Sequence, residues 1–226
     1  THLGHTAGFS ELGDRPGATD ESALEVMTGT WEDLQQAMAS DAVVVAGCGA
    51  TSAIASYLPE LLRRARRLVL DADALNALSG QMDVVRENAG QRLLTPHHLE
   101  MERLSPCNGR DRLQWLADFV SQYPVTLLLK GARTLIGNNN SPVAFNTSGH
   151  PGMASGGMGD VLTGVCAALI AQGRDITDSA RLAAWVCGRA AELAIRENTV
   201  SQESLTASDV IAHLGGAFID LRAGVF

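Results

Sequence analysis

Several features that define particular classes of protein are scarce or missing in this sequence. Aromatic residues make up only 4% of the 226 residues, and 25 acidic residues outnumber 17 basic ones, for a formal net charge of −8. A negative field repels nucleic acid and anionic membranes, and few rings are available to stack on bases, so we expect no nucleic-acid partner. No apolar run approaches the roughly 20 residues of a membrane span, and no basic segment followed by an apolar one opens the sequence. We therefore expect a cytoplasmic protein without a membrane partner.

Metal-binding patterns are missing as well. His2 and His5 lie close together, but no third ligand follows at the spacing of a metal site. The cysteines form no C-x-x-C pair, which excludes a zinc ribbon and a dithiol redox centre; they are Cys48, Cys107, Cys166 and Cys187. We expect buried, reduced thiols and predict no metal site made by the protein alone.

Composition and patterning favour one large α/β domain. Hydrophobic residues make up 46% of the chain and charged residues 19%, enough apolar material for a substantial core. Residues 1–30, rich in Gly, Thr, Asp and Glu, are expected to be irregular or incomplete, and residues 31–226 to form the domain. Continuous apolar runs predict strands, the first of them buried on both faces, at residues 42–46, 68–70, 92–94, 125–130, 134–137 and 142–145.

Helical periodicity fills the intervals between these strands. Gly173 is expected to end one helix, and Asp71 can begin a short one. Strands that alternate with helices indicate a three-layer fold, in which helices flank a mainly parallel central sheet. The predicted helices are residues 32–38, 52–67, 99–104, 113–120, 160–172, 178–196 and 208–222.

The chemically suggestive residues follow strands, where an open parallel sheet gathers its ligands. Each has a structural alternative: a tight turn for the glycines, a backbone-bonded turn for the histidine and a solvated strand end for the lysine. For the two aspartates, helix capping and turn formation are the favoured interpretation. These residues are Gly47 and Gly49, Asp71 and Asp73, Thr95 and His97, and Lys130.

A glycine-rich run precedes an apolar helix, and residues 149–160 read GHPGMASGGMGD. Glycines remove the side chains that would keep a phosphate from the backbone, so residues 156–159, which are Gly156, Gly157, Met158 and Gly159, are predicted to form an anion hole. The positive end of the helix dipole adds to it. Asp160, at the same terminus, could act as a helix cap or as a general base. The run matches neither the dinucleotide fingerprint nor the P-loop.

Four ordered motifs carry a family resemblance. Residues 146–164 read NTSGHPGMASGGMGDVLTG, residues 70–76 LDADALN, residues 95–97 TPH and residues 129–134 LKGART. Together they resemble the ADP-dependent NAD(P)H-hydrate dehydratases, repair enzymes of the ribokinase-like superfamily. The resemblance extends from Trp31 to the C-terminus and implies a ribokinase-like catalytic domain.

The resemblance implies that hydrated NADH or NADPH is dehydrated while ADP is hydrolysed to AMP and phosphate. Asp160 would deprotonate the substrate hydroxyl, and the glycine N–H groups would stabilise the transferred phosphoryl group. The co-substrate is ADP or ATP, with Mg²⁺ bound to its phosphates. By the same comparison, the nucleotide would contact Lys130, Gly131, Ala132, Arg133, Thr134 and Gly159, and the hydrated cofactor would contact Gly47, Gly49, His97 and Asp160.

This sequence also departs from the family pattern. The family has Gly-Pro-Gly-Leu-Gly where residues 47–51 read GCGAT, and Thr-Pro-His-Pro-Gly-Glu where residues 95–100 read TPHHLE. Family members also carry further strands and helices at the start, so we expect the sheet to lack part of its N-terminal edge. An apolar edge is normally covered by another chain, and the family suggests a tetramer. Two alternatives stay open: a ribokinase-like kinase of a thiazole or pyrimidine alcohol, and a nucleotide-binding relative without activity.

Overall fold

The computed structural model describes residues 7–8, 27–87, 91–196 and 200–225. Most of the segment predicted to be irregular, including His2 and His5, lies outside the described residues. Two short strands, β1 (Ala7–Gly8) and β2 (Met27–Thr28), pair in parallel. The central sheet contains β3 (Val43–Ala46), β4 (Arg67–Leu70), β5 (Gln91–Leu94), β6 (Thr126–Leu129), β7 (Leu135–Asn138) and β8 (Ser141–Phe145).

These six strands lie side by side in chain order. Strands β3 to β6 are parallel, and β7 and β8 join antiparallel to β6 and to each other. Because parallel neighbours require crossover connections, helices separate β3 from β4 and β5 from β6. The prediction of a mainly parallel sheet with a terminal hairpin is confirmed.

Helices cover both faces of the sheet. They are α1 (Trp31–Met38), α2 (Ile54–Arg64), α3 (Ala72–Leu78), α4 (Asp83–Glu87), α5 (His98–Leu104), α6 (Arg112–Gln122), α7 (Met158–Ala171), α8 (Ile176–Arg196) and α9 (Ala207–Ala223). Leu70 and Leu94 point into the core under α1 to α6, whereas Val69 and Leu93 join α7 to α9 on the other face. Adjacent residues of one strand thus enter opposite cores, and the three-layer prediction is confirmed.

Three expectations about local structure were wrong. In the described chain β3 is an edge strand, and Val45 is 38% exposed, so this strand is not buried on both faces. Helix α2 ends at Arg64 rather than at Arg67, because Arg67 already pairs with Val43 in the sheet. Cys166 and Cys187 are buried as expected, but Cys48 is exposed.

Four short elements were not predicted: the strands β1 and β2, the helix α4, and a 3₁₀ turn at Pro151–Met153. Gly173 ends α7 as expected, with a φ of +87° directly after the helix. Among the described helices, none combines the length and apolarity that crossing a bilayer would require.

Candidate active site

The loops that follow the four parallel strands meet at one edge of the sheet. The loops after β3 and β4 contact each other, because the Asp73 N–H donates to Gly47 O at 3.2 Å and its carboxylate accepts from the Thr51 N–H at 2.8 Å. The loops after β5 and β6 are joined by a bond from the Lys130 N–H to Pro96 O at 2.8 Å. The strand-end residues are therefore gathered, as the parallel sheet predicted. Asp73 has the turn-forming role that the sequence favoured.

Asp71 and Lys130 form an ion pair at the centre of this edge. Asp71 is 1% exposed, and Lys130 Nζ lies 2.8 Å from its Oδ1. Thr163 Oγ1 donates to Asp71 Oδ2 at 2.8 Å, and the Ala72 N–H donates to Oδ1 at 2.9 Å. Asp71 thus caps α3 as predicted and also binds Lys130, a contact that sequence reasoning missed. The alternative that Lys130 ends its strand in solvent is wrong.

Two glycines allow close packing around this pair. A Cβ on Gly159 would lie 3.3 Å from Lys130 Nζ and 3.4 Å from Asp71 Oδ2. Gly47, with a φ of +118°, would place a Cβ only 1.8 Å from Asp71 O, so no other residue fits there. Gly49, at φ +64°, has open space around it. The tight-turn interpretation of Gly47 and Gly49 is observed, and their contact with substrate stays a prediction.

The start of α7 is available to an anion. The helix begins at Met158 after Gly157, whose φ is +81°, and within the described chain no side chain caps its first N–H groups. First-turn N–H groups lack acceptors inside a helix, so these donors can bind a phosphate. Asp160 is the third residue of the helix and is exposed. Among the described residues it makes no side-chain capping bond, although an acid in the first turn also favours the helix dipole; its role as a general base stays a prediction.

Cys48, at a position where the family has proline, lies beside Asp160. Its Sγ and one carboxylate oxygen each of Asp71 and Asp160 all lie within 4.8 Å of one another. Partial burial of the sulfur atom, the charge of Asp71 and a hydrogen bond to Asp160 raise the pKa of the Cys48 thiol from 9.0 to about 12, although the residue as a whole is exposed. The thiol therefore stays protonated and can donate to Asp160. Sequence reasoning noted Cys48 only as a departure from the family pattern.

We predict that Cys48 reacts slowly with thiol reagents despite its exposure. A thiol with a pKa near 12 is ionised about a thousandfold less at pH 8 than one with a pKa of 9.0, and only the thiolate attacks. Iodoacetamide labelling, followed by peptide mass spectrometry, should be at least ~100-fold slower in the native than in the denatured protein. Asp160→Asn should accelerate it by removing a negative charge. Equal rates in both states would show that the thiol is not held in this environment.

A cavity of about 570 Å³ adjoins Lys130 and the start of α7. It is bounded by the loop after β6, by the loop that leads into the glycine run and by α8. All six residues predicted to bind the nucleotide line it, so the structure brings them together as the resemblance implied; they are Lys130, Gly131, Ala132, Arg133, Thr134 and Gly159. The far wall, formed by residues 146–149 and α8, was not predicted.

Helix α8 anchors that far wall. Asn146 Nδ2 donates to Ala184 O at 3.1 Å, and Ser148 Oγ donates to Trp185 O at 2.8 Å. The Gly149 N–H donates to Glu192 Oε1 at 2.7 Å. The segment before the glycine run is therefore bound at three points to one rigid helix.

Gly188 allows residues 146–149 to pack closely against α8, and we predict that Gly188→Ala destabilises the protein. The added Cβ would lie 2.3 Å from Ser148 Oγ and 2.8 Å from the Gly149 nitrogen. Overpacking of this kind costs about 1–3 kcal/mol. The matched control is Gly164→Ala on α7, where the Cβ meets no atom within 4 Å and helix propensity adds up to ~1 kcal/mol. In urea unfolding, the free energy of unfolding should fall for Gly188→Ala and rise for Gly164→Ala. A Gly188→Ala variant more stable than the wild type would contradict the packing.

A second cavity, of about 500 Å³, shares Lys130, Gly131 and Gly159 with the first. His97 lines it, together with His98 and Leu99, which replace the Pro-Gly of the family pattern. His97 Nδ1 also accepts from the Leu99 and Glu100 N–H groups at 3.1 and 3.2 Å, which caps α5. The backbone-bonded alternative for His97 is therefore observed, and the residue still faces a cavity. Its contact with substrate stays a prediction.

The sequence profile of one family, described as NAD(P)H-hydrate dehydratase, matches residues 18–213. The chain belongs to the NAD(P)H-hydrate dehydratase family. The bifunctional NAD(P)H-hydrate repair enzyme Nnr of Moorella thermoacetica is 39% identical over 173 residues, which cover 74% of this chain and 32% of that enzyme. The ADP-dependent (S)-NAD(P)H-hydrate dehydratase of Neisseria meningitidis serogroup B is 32% identical over 216 residues, which cover 90% of this chain and 71% of that enzyme. The chain thus spans about a third of the length of the bifunctional relatives.

Solved structures of the dehydratase family share this fold. The ADP/ATP-dependent NAD(P)H-hydrate dehydratase of Bacillus subtilis, co-crystallised with ATP and Mg²⁺ and soaked with CoA, superposes with a TM-score of 0.73 at 23% identity, covering 88% of this chain and 75% of that one. Hydroxyethylthiazole kinase from Pyrococcus horikoshii superposes with a TM-score of 0.61 at 16% identity, covering 88% and 80%. The ribokinase-like fold predicted from the motifs is confirmed.

Proposed function

We propose that this chain dehydrates hydrated NADH or NADPH to the working cofactor and couples this reaction to hydrolysis of ADP to AMP and phosphate. One observation carries the proposal: the uncapped start of α7 lies at the boundary that the two cavities share. A nucleotide in the larger cavity and a hydrated cofactor in the smaller one would meet there. Asp160, on the same helical turn, supplies a carboxylate.

The chemistry follows from the difficulty of expelling hydroxide. Asp160 removes the proton from the substrate hydroxyl, whose oxygen attacks the β-phosphorus of ADP and releases AMP. The N–H groups at the start of α7, with Lys130, stabilise the charge on the transferred phosphoryl group. The ring nitrogen of the phosphorylated tetrahydropyridine then pushes its electron pair towards the neighbouring carbon, and phosphate leaves from that carbon. Loss of a proton from the next ring carbon to the departing phosphate or to water forms the carbon–carbon double bond of the dihydropyridine and returns the electron pair to the nitrogen. The net change is removal of water from the cofactor and its addition to ADP.

Magnesium would be carried mainly by the nucleotide phosphates. Mg²⁺ prefers hard oxygen ligands and keeps several waters, and a protonated thiol is a poor ligand for it. Of the cluster formed by Cys48, Asp71 and Asp160, Asp71 already binds Lys130 and Thr163, so Asp160, which accepts a hydrogen bond from the Cys48 thiol, offers the more available carboxylate. These residues fit a cation that is bound through the nucleotide, and the bound cation would neutralise phosphate charge.

A product assay tests the proposal. The protein is incubated with ADP or ATP, Mg²⁺ and hydrated NADH or NADPH, and the near-ultraviolet absorbance of the reduced nicotinamide is followed. We expect the absorbance to return while AMP and phosphate form in equal amounts when ADP is used. A stable phosphate ester would indicate a ribokinase-like kinase, and nucleotide binding without turnover would indicate a relative without activity.

We also propose a cytoplasmic homo-oligomer, with a tetramer as the form that the family suggests. Four free cysteines favour a reducing compartment. On α9, Ile211 and Ile219 lie two helical turns apart and are 55% and 60% exposed, which favours an interface there. Sedimentation velocity tests the assembly, and a monomer at micromolar concentration would contradict it.

A further inference from the structure

Arg112, which the sequence analysis did not single out, binds the loop after β6 at three points. It is the first residue of α6, and its guanidinium reaches across to the end of β6. Its Nη2 donates to Leu129 O at 3.1 Å and to Lys130 O at 3.3 Å, and its Nη1 donates to Ala132 O at 2.9 Å. One side chain therefore holds three of the four carbonyl groups between residues 129 and 132.

The placement of this arginine is unfavourable by itself. A cation at a helix N-terminus opposes the helix dipole, and burial lowers the pKa of Arg112 from its ordinary value. Across residues 27–87, 91–196 and 200–225, no carboxylate lies within ion-pair distance of it, and its three acceptors are backbone carbonyls. Arg110, two residues earlier, has an ordinary arrangement, with Asp118 Oδ2 3.1 Å from its Nη1.

The backbone of the loop fits this guanidinium. A Cβ on Gly131 would lie 2.9 Å from Arg112 Nη2, and the φ of Gly131 is +150°, a conformation that residues with a side chain rarely adopt, so this loop shape favours glycine. Arg133 has a φ of +57°, a conformation that costs a residue with a side chain about 1 kcal/mol or more. Such strain persists only where surrounding contacts fix it, and the bond from Arg112 to Ala132 O holds the peptide group that precedes Arg133.

We propose that Arg112 is a positioning residue that makes this loop able to accept a nucleotide phosphate. Carbonyl oxygens that bind the guanidinium are not presented to the ligand, so the loop offers the cavity the Lys130 ammonium group instead of oxygen atoms that would repel a phosphate. The charge of Arg112, unneutralised by a carboxylate in the described chain, adds attraction from behind Gly131. The inference rests on the nucleotide site of the proposed function and names the residue that shapes it.

Binding of ADP alone, measured by calorimetry, tests this role. We compare Arg112→Ala and Arg112→Lys with the matched control Arg110→Ala, which removes a guanidinium that also bonds carbonyls but belongs to the neighbouring turn. Arg112→Ala should weaken ADP binding at least tenfold and adenosine binding less. The ADP affinity of Arg112→Lys should lie between those of Arg112→Ala and the wild type. The ADP affinity of Arg110→Ala should stay within twofold of the wild type. Free guanidinium ion at millimolar concentration should restore part of the ADP affinity of Arg112→Ala. In turnover, the KM for ADP should rise more than kcat falls.

The proposal would be overturned by a folded Arg112→Ala that binds ADP like the wild type. It would also be overturned by an Arg112→Lys that does so, because lysine keeps the charge without the fork. If Arg112→Ala does not fold, the lysine variant decides. Equal losses for ADP and adenosine would also overturn it, because a merely structural defect predicts them. If wild type binds ADP but dehydrates nothing, the proposed function fails while the role of Arg112 is still measured.

Discussion

Replacing Asp160 with asparagine is expected to lower turnover on the order of 100- to 10,000-fold, the contribution of a general base. Asparagine keeps the shape of the side chain at the third position of α7 but cannot take a proton. The protein should bind ADP as tightly as before or more tightly, because a negative charge beside the phosphate site is removed. Stopped assays for AMP and phosphate, together with calorimetry of ADP binding, measure the two effects separately.

Asp178→Asn is the matched control. Asp178 is also an acid in the first turn of a helix, α8, but it is exposed and pairs with Arg181. Its replacement should leave turnover within twofold. An Asp160→Asn variant with wild-type turnover would show that the proton leaves by another route, and equal losses in both variants would indicate a general defect of the protein.

Lys130→Met is expected to be the most destabilising single change at the site. It leaves the carboxylate of Asp71, 1% exposed, without its cation, with only the Ala72 N–H and the Thr163 hydroxyl as donors. Removing one partner of a buried ion pair costs about 3–5 kcal/mol. For a protein of this size, that loss lowers Tm by roughly 10 °C. Calorimetric scanning measures it.

The double variant Asp71→Asn, Lys130→Met separates a lost contact from an uncompensated charge. If the penalty comes from the unpaired carboxylate, the double variant should be more stable than Lys130→Met alone, because a neutral amide is less costly to bury. Additive losses would contradict this explanation. Neither variant should bind ADP normally, since both lack the Lys130 ammonium group.

The sequence predicted elements and loops better than the contacts between them. Continuous apolar strands and helical periodicity are local patterns, and they placed the sheet, its hairpin and the glycine run at the start of α7. The bond between Asp71 and Lys130 joins residues 59 positions apart. No pattern within one segment reveals such a contact, although both residues follow parallel strands.

His97 and Cys48 show a different limit. Both a backbone-bonded turn residue and a ligand contact were compatible with the sequence of His97, and only the positions of the Leu99 and Glu100 N–H groups show that it caps α5. Cys48 lies beside Asp160 because of the tight turn at Gly47, whose closeness to Asp71 depends on the register of β3 and β4. Arg112 was missed because its partners are backbone carbonyls, which leave no mark on side-chain patterns.

The partner of Asp71 has one more property. Lys130 is the only lysine in the 226 residues; every other basic side chain that counts toward the 17 is an arginine. Reagents that acylate amines, and any cellular chemistry that modifies lysine, therefore have one side-chain target in this chain, the ammonium group that lines both cavities. A nucleotide bound in the larger cavity should therefore be detectable because it protects this one side-chain amine from acylation.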